Sequence, residues 1–195
     1  MRQGTEYFLD EFWTPDPEEV FIDGGGYTGD TIEEFIRWTK GNYRRIYSFE
    51  PEKEKFEEMK ANPCCIDNRI KLHNKGLWSS NAKLRFLDGD KDWSGSISDK
   101  GNSIIETVAL DDVVQDRVTF IKMDIEGAEF DALKGAKTII KRDCPKMAIC
   151  IYHKPDDLWE VPLLIKSIND RYRFFIRHKG MRYFGTILYC VPYSK

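Results

Sequence analysis

Four glycines crowd into six positions, Gly24, Gly25, Gly26 and Gly29, between a short apolar strand and a helix. Glycine tolerates positive φ and lets a backbone approach another group closely, so such a loop is built to turn sharply and to leave room. A strand, a glycine loop and a helix in that order form a ligand cradle at the carboxyl end of the strand. Read literally, Gly24-x-Gly26-x-x-Gly29 also matches the dinucleotide fingerprint, so the cradle suits a nucleotide-like ligand.

The rest of the chain alternates accordingly. Strands are expected at Val20–Asp23, Ile46–Phe49, Arg69–His73, Thr119–Met123, Lys146–Tyr152, Tyr172–Arg177 and Gly185–Val191. Helices are expected at Asp30–Thr39, at Glu52–Ala61 with Pro51 at its first position, at Glu129–Arg142 and at Leu158–Asp170. The Lys179-Gly180 turn joins the last two strands closely enough to require antiparallel pairing. Between Leu77 and Val108 the pattern breaks into short strands at Lys83–Leu87, Ser96–Ser98 and Ile104–Val108. Asp-Gly-Asp and Lys-Gly-Asn turns separate them, which reads as a small antiparallel insertion or flap. The start, Met1 to Phe8, reads as a helix entering the fold. The predicted architecture is a Rossmann-like sheet with helices on both faces, in a single domain over residues 1–195.

Charge and cysteine content bound the function. A net charge of −3 argues against a general nucleic-acid binder, and no apolar run approaches a membrane span. Beyond Asp170 every charged residue is basic, which describes either a solvated edge or a rim for an anionic acceptor. The five cysteines form an odd set without C-x-x-C spacing. Reduced thiols in a cytoplasmic protein account for them.

The cofactor is argued from the flanks of the glycine loop. Glu50, just after the second strand, is placed to accept both hydroxyls of a ribose. Asp23 ends the first strand with its charge expected to face the ligand, and Asp30 opens the helix. Two carboxylates repel a dianionic pyrophosphate but suit an ammonium and a sulfonium, so the sequence favours S-adenosylmethionine over NAD.

Several separated motifs then fall in register. They are Val20-Phe-Ile-Asp-Gly-Gly-Gly-Tyr-Thr-Gly-Asp30, Tyr47-Ser-Phe-Glu-Pro51, Ala109-Leu-Asp-Asp112 and Phe120-Ile-Lys-Met-Asp124-Ile-Glu126-Gly127-Ala-Glu129 with Leu133-Lys-Gly135-Ala. Ile151-Tyr-His153-Lys-Pro-Asp156-Asp157-Leu-Trp159 and Phe175-Ile-Arg177-His178 complete the set. On these residues the chain resembles the FkbM-type S-adenosylmethionine-dependent methyltransferases from about Tyr7 to Tyr193. The resemblance implies a seven-stranded, mostly parallel sheet with an antiparallel last strand, and methyl transfer, usually to oxygen. It implies a cofactor site of Asp23, Gly24, Gly25, Gly26, Tyr27, Thr28 and Gly29 around the methionine, with Glu50 and Pro51 at the ribose. Asn74, Lys75 and Gly76 would border the adenine, and Asp124 would lie beside the methyl or amino group. Many relatives carry alanine where this chain has Gly26, a change the fold is expected to tolerate.

A hydroxyl acceptor profits from a base. His153, at the end of the fifth strand, is the first candidate because imidazole titrates near neutrality. Asp124 is the second, with Glu126 beside it, although carboxylates also settle at helix N-termini without any catalytic duty. Lys154, Arg177 and His178 are candidate acceptor contacts, the acceptor being a small molecule or a saccharide. Trp78, Trp93 and Trp159 are candidate pocket walls. Asp124, Glu126 and His153 form a conceivable hard-ligand set, but no dedicated ligand spacing is present and the expectation is no metal. An NAD-dependent oxidoreductase and a non-catalytic cofactor-binding scaffold are the alternatives. The second would show a cavity plugged by the flap.

Overall fold

The computed structural model describes residues 6–89, 95–179 and 185–193. The Lys179-Gly180 turn, the Asp-Gly-Asp turn and Trp93 lie wholly or partly outside these residues, as does most of the segment Met1–Phe8.

In chain order the elements are β1 (Val20–Gly24), α1 (Asp30–Trp38), β2 (Arg45–Phe49), α2 (Lys53–Ala61), β3 (Ile70–His73) and β4 (Gly76–Leu77). Then come β5 (Ala82–Leu87), β6 (Ser96–Ile97), β7 (Ser103–Val108), α3 (Leu110–Val113), β8 (Phe120–Met123) and α4 (Glu129–Lys134). The chain ends with α5 (Lys137–Asp143), β9 (Lys146–Cys150), α6 (Asp157–Ile168), β10 (Tyr172–His178) and β11 (Thr186–Pro192).

Seven strands form the main sheet in the order β10-β11-β9-β8-β1-β2-β3. β1, β2, β3, β8 and β9 run parallel, and β11 is antiparallel to both β9 and β10. The expected reversed strand is therefore present. Consecutive residues of a strand point to opposite faces, and here both faces are buried. Ile22, Ile121, Met147 and Leu188 pack on one side with α4, α5 and α6. Phe21, Phe120, Ala148 and Tyr189 pack on the other with α1 and α2. The insertion is a second, four-stranded sheet in the order β4-β7-β5-β6. Its strands β5, β6 and β7 pair antiparallel, while β4 pairs parallel to β7.

Three local expectations are corrected. The helix expected at Glu129–Arg142 is broken at Gly135, where an added Cβ would stand 2.1 Å from the Trp78 carbonyl oxygen. The Gly135 carbonyl also accepts the Asp111 N–H at 2.9 Å, so this backbone serves the neighbouring segment. Pro51 lies ahead of α2, whose cap is Glu52, because the Glu52 N–H is taken by the Glu50 carboxylate. Residues Glu6–Phe8 are irregular, with the Phe8 ring buried against Phe21 and Phe35.

Candidate functional site

Beneath the glycine loop lies a buried polar knot. Asp23 is fully buried, taking Lys122 Nζ at 3.1 Å and the Ser48 hydroxyl at 2.8 Å. Lys122 Nζ also donates to the carbonyls of Gly24 at 3.0 Å and Gly25 at 2.7 Å. The ammonium thus pins the loop from below. Burial pushes the Asp23 carboxyl up despite Lys122 and Ser48. Burial opposes the charge on Lys122, yet Asp23 and Asp124 hold its pKa above the usual value. The expectation that Asp23 turns its charge to a ligand is corrected: both of its oxygens face inward to these partners.

The loop fits only as glycine. The N–H groups of Gly25 and Gly26 both reach the Phe49 carbonyl at 3.0 Å. Gly25 has φ +78°, and a Cβ there would stand 2.0 Å from the Asp124 carbonyl oxygen. At Gly26 a Cβ would meet Ser48 Oγ at 2.3 Å, so the alanine that many relatives carry would force Ser48 to shift in this chain.

Above the loop is a cavity of about 490 Å³. Gly25, Tyr27, Glu50, Pro51, Gly76, Asp124 and Glu126 line it. Glu50 is buried, its Oε2 accepting the Tyr27 N–H at 2.9 Å and its Oε1 the Glu52 N–H at 2.8 Å. Each oxygen keeps a lone pair for a further donor. Burial raises its pKa to about 7, offset in part by those two N–H groups. Opposite stands Asp124, whose Oδ2 accepts the Tyr7 hydroxyl at 2.8 Å and whose Oδ1 accepts the Tyr152 hydroxyl at 3.0 Å. Burial works against its charge, but Lys122, His153 and Tyr7 prevail and hold the carboxyl below its ordinary value.

His153 sits behind Asp124. Its Nε2 lies 3.4 Å from Asp124 Oδ1 and 3.3 Å from Glu126 Oε2, and its Nδ1 lies 3.0 Å from Glu129 Oε1. Burial opposes its protonation, yet these three carboxylates raise its pKa to about 9. At neutral pH it is an imidazolium with no lone pair to offer. The expectation of a histidine titrating near neutrality as base is corrected.

Other expected site residues lie elsewhere. Asn74 donates to the carbonyls of Glu50 and Pro51 and so props the turn after β2 from outside the cavity. Lys75 pairs with Glu106. Gly24, Gly26, Thr28 and Gly29 shape the loop without lining the cavity. Lys154 packs its stem on Gly127. Arg177 pairs with Glu11, and His178 meets Thr186, on the edge strand away from the cavity. Trp78 and Trp159 are not among the walls, which are Phe49, Leu77 and, from the insertion, Phe86, Ile97 and Ile105. The cavity also receives Glu6, Tyr7, Asp30 and Lys55. Lys122 had a signal in its motif, one lysine inside an otherwise apolar buried strand. Tyr7 had none.

The model of the family described as Methyltransferase FkbM domain matches residues 23–183. No curated protein sequence matches significantly. Methyltransferase FkbM from Methylobacillus flagellatus KT superposes with a TM-score of 0.79 at 29% identity, over 94% of this chain and 46% of that one. The chain thus spans about half the length of that relative. An rRNA methylase from Streptococcus thermophilus superposes at 0.59 with 13% identity, over 97% of this chain and 94% of that one. SMU.1697c of Streptococcus mutans, in complex with SAH, superposes at 0.56 with 10% identity, covering 95% of each chain. These last two share the fold.

Proposed function

Because the chain belongs to the FkbM methyltransferase family, we propose that it moves a methyl group from S-adenosylmethionine to a hydroxyl of a small-molecule or glycan-like acceptor. The observation that carries this reading is one cavity with Glu50 on one wall and Asp124 on the other, separated by the glycine loop.

The residues fit the cofactor. A space of about 490 Å³ is within the range of ligand cavities. Asp30, Glu50, Asp124 and Glu126 line it beside Lys55 and Lys122, an acidic surplus that suits a ligand with an ammonium and a sulfonium. Glu50 has free lone pairs for ribose hydroxyls, and Phe49 and Leu77 offer apolar surface to a base. S-adenosylmethionine, when bound, supplies a methyl group on an electrophilic sulfonium. The protein then has to hold the acceptor oxygen close and in line, which is where most of the rate can come from. Asp124, ionised and locked by two tyrosines, is the group that receives the acceptor hydroxyl as a hydrogen bond. Among the described residues the insertion walls the cavity with Phe86, Ile97 and Ile105 without filling it, which favours a catalytic domain over a scaffold.

No described helix is long and apolar enough to cross a membrane. We place the protein in the cytoplasm, acting on a small metabolite without nucleic acid.

Calorimetry with S-adenosylhomocysteine tests the cofactor, and labelled methyl transfer over sugar nucleotides and other metabolites tests the acceptor. Absence of binding at millimolar ligand overturns the reading.

A further inference from the structure

We propose that Asp124, Glu126 and His153 form a binding site for one divalent cation at the edge of the cavity, and that Mn²⁺ is the ion it suits. Its use in methyl transfer rests on the function proposed above, whereas the binding of the ion does not.

The geometry converges. One donor atom from each of the three residues lies within 4.8 Å of the others. His153 Nε2 is 3.4 Å from Asp124 Oδ1 and 3.3 Å from Glu126 Oε2. Two ligands at right angles and about 2.2 Å from one ion stand about 3.1 Å apart. The side chains are thus spaced as neighbouring ligands.

The histidine supplies a second, independent sign. Its side chain is only 9% exposed, and its two ring nitrogens stand 3.0 to 3.4 Å from three carboxylates without the alignment of a hydrogen bond to any of them. Buried polar groups are nearly always satisfied, and one that is not calls for a partner. Nε2 points at the two cavity-lining carboxylates. Nδ1 faces Glu129, which is fully buried and anchored by the Ile125 N–H at 2.9 Å. A carboxylate behind the far nitrogen is the arrangement that fixes the tautomer and tilt of a metal-binding imidazole.

Asp124, Glu126 and Glu129 surround one imidazole. The nearby Lys122 ammonium is occupied by Asp23 and two loop carbonyls. On binding, the imidazolium proton leaves to solvent and its lone pair goes to the metal. Two carboxylates suit Mg²⁺ and Mn²⁺, and the imidazole tips the preference to Mn²⁺.

An ion held there would also act on the acceptor. A hydroxyl bound to a divalent cation becomes more acidic, as metal-bound water does. The acceptor hydroxyl gives its proton to solvent, and its oxygen forms the new bond to the methyl carbon. The sulfur–methyl bond breaks with its electron pair remaining on sulfur, leaving a neutral thioether.

The test is Mn²⁺ titration of the chelator-treated full chain, read by the loss of the free-ion electron paramagnetic resonance signal. One ion per chain with micromolar affinity is expected. Glu126→Gln and His153→Ala should each weaken binding at least tenfold with circular dichroism unchanged, while Glu33→Gln on the exposed face of α1 should not. No uptake at millimolar Mn²⁺, or equal uptake by both site variants, overturns the proposal. Calorimetry with S-adenosylhomocysteine on the same sample separates the two readings. Nucleoside binding without ion uptake sinks the ion site alone. Ion uptake without nucleoside binding sinks the methyl-transfer reading alone.

Discussion

Lys122 and Asp23, 99 residues apart in the chain, meet at 3.1 Å in a fully buried ion pair directly under the glycine loop. Removing one partner of such a pair strands the other charge. Lys122→Met should therefore cost about 3–5 kcal/mol. Asp23→Asn combined with Lys122→Met should recover much of that loss. Urea unfolding midpoints of the two variants and the parent check both statements; equal stability of Lys122→Met and the parent would remove the pair's structural role.

Gly25 answers to backbone rather than to a side chain that can move aside. Its positive φ alone costs an alanine on the order of 1–3 kcal/mol, before the clash with the Asp124 carbonyl is counted. Gly25→Ala should abolish S-adenosylhomocysteine binding in calorimetry and lower the thermal midpoint. Retained affinity would show that the loop can open without loss.

Glu50 predicts a pH profile. Its carboxyl is neutral below about 7 in the folded protein and would be neutral only below about 4.5 when unfolded. The folded state therefore binds more protons between these values, and the stability of the unliganded protein should fall as pH rises from about 4.5 to 7. Ribose hydroxyls donate best to the ionised form. Affinity for S-adenosylhomocysteine should accordingly rise about tenfold from pH 6 to pH 8, following the ionised fraction. Glu50→Gln should weaken binding and flatten the profile. A flat profile in the parent would detach Glu50 from the ribose.

Tyr7 and Tyr152 hold the two oxygens of Asp124. A hydrogen bond to a charged group contributes about 1.5–3 kcal/mol. Tyr7→Phe and Tyr152→Phe should each slow methyl transfer about tenfold or more. The test is turnover under saturating cofactor; full activity in both would mean that Asp124 needs no orientation.

Much of this was legible in the chain. Alternation of apolar strands with helices announces a doubly covered sheet, because both faces of β1, β8 and β9 must be largely apolar to be buried. The glycine run and Glu50 mark the cavity through local rules of backbone freedom and spacing. What stayed hidden depends on residues far apart in sequence. Nothing around Asp23 says that Lys122 will claim its charge. Nothing around His153 says that three carboxylates, two from the β8–α4 turn and one from the start of α4, will surround it and raise its pKa. Tyr7 arrives from an irregular segment with no periodicity to read. Arg177 and His178 looked like acceptor contacts from their basic surroundings, but strand order puts them at the sheet's edge.

The four-stranded sheet supplies Phe86, Ile97 and Ile105 to the cavity, whereas Glu50 and Asp124 are held at the strand ends of the main sheet. Under the function proposed above, the apolar lining and the strand-end carboxylates can therefore be varied independently. A library confined to positions 82–105 would recut the lining while leaving Glu50 and Asp124 in place, so the range of acceptors could be altered without rebuilding the strand ends.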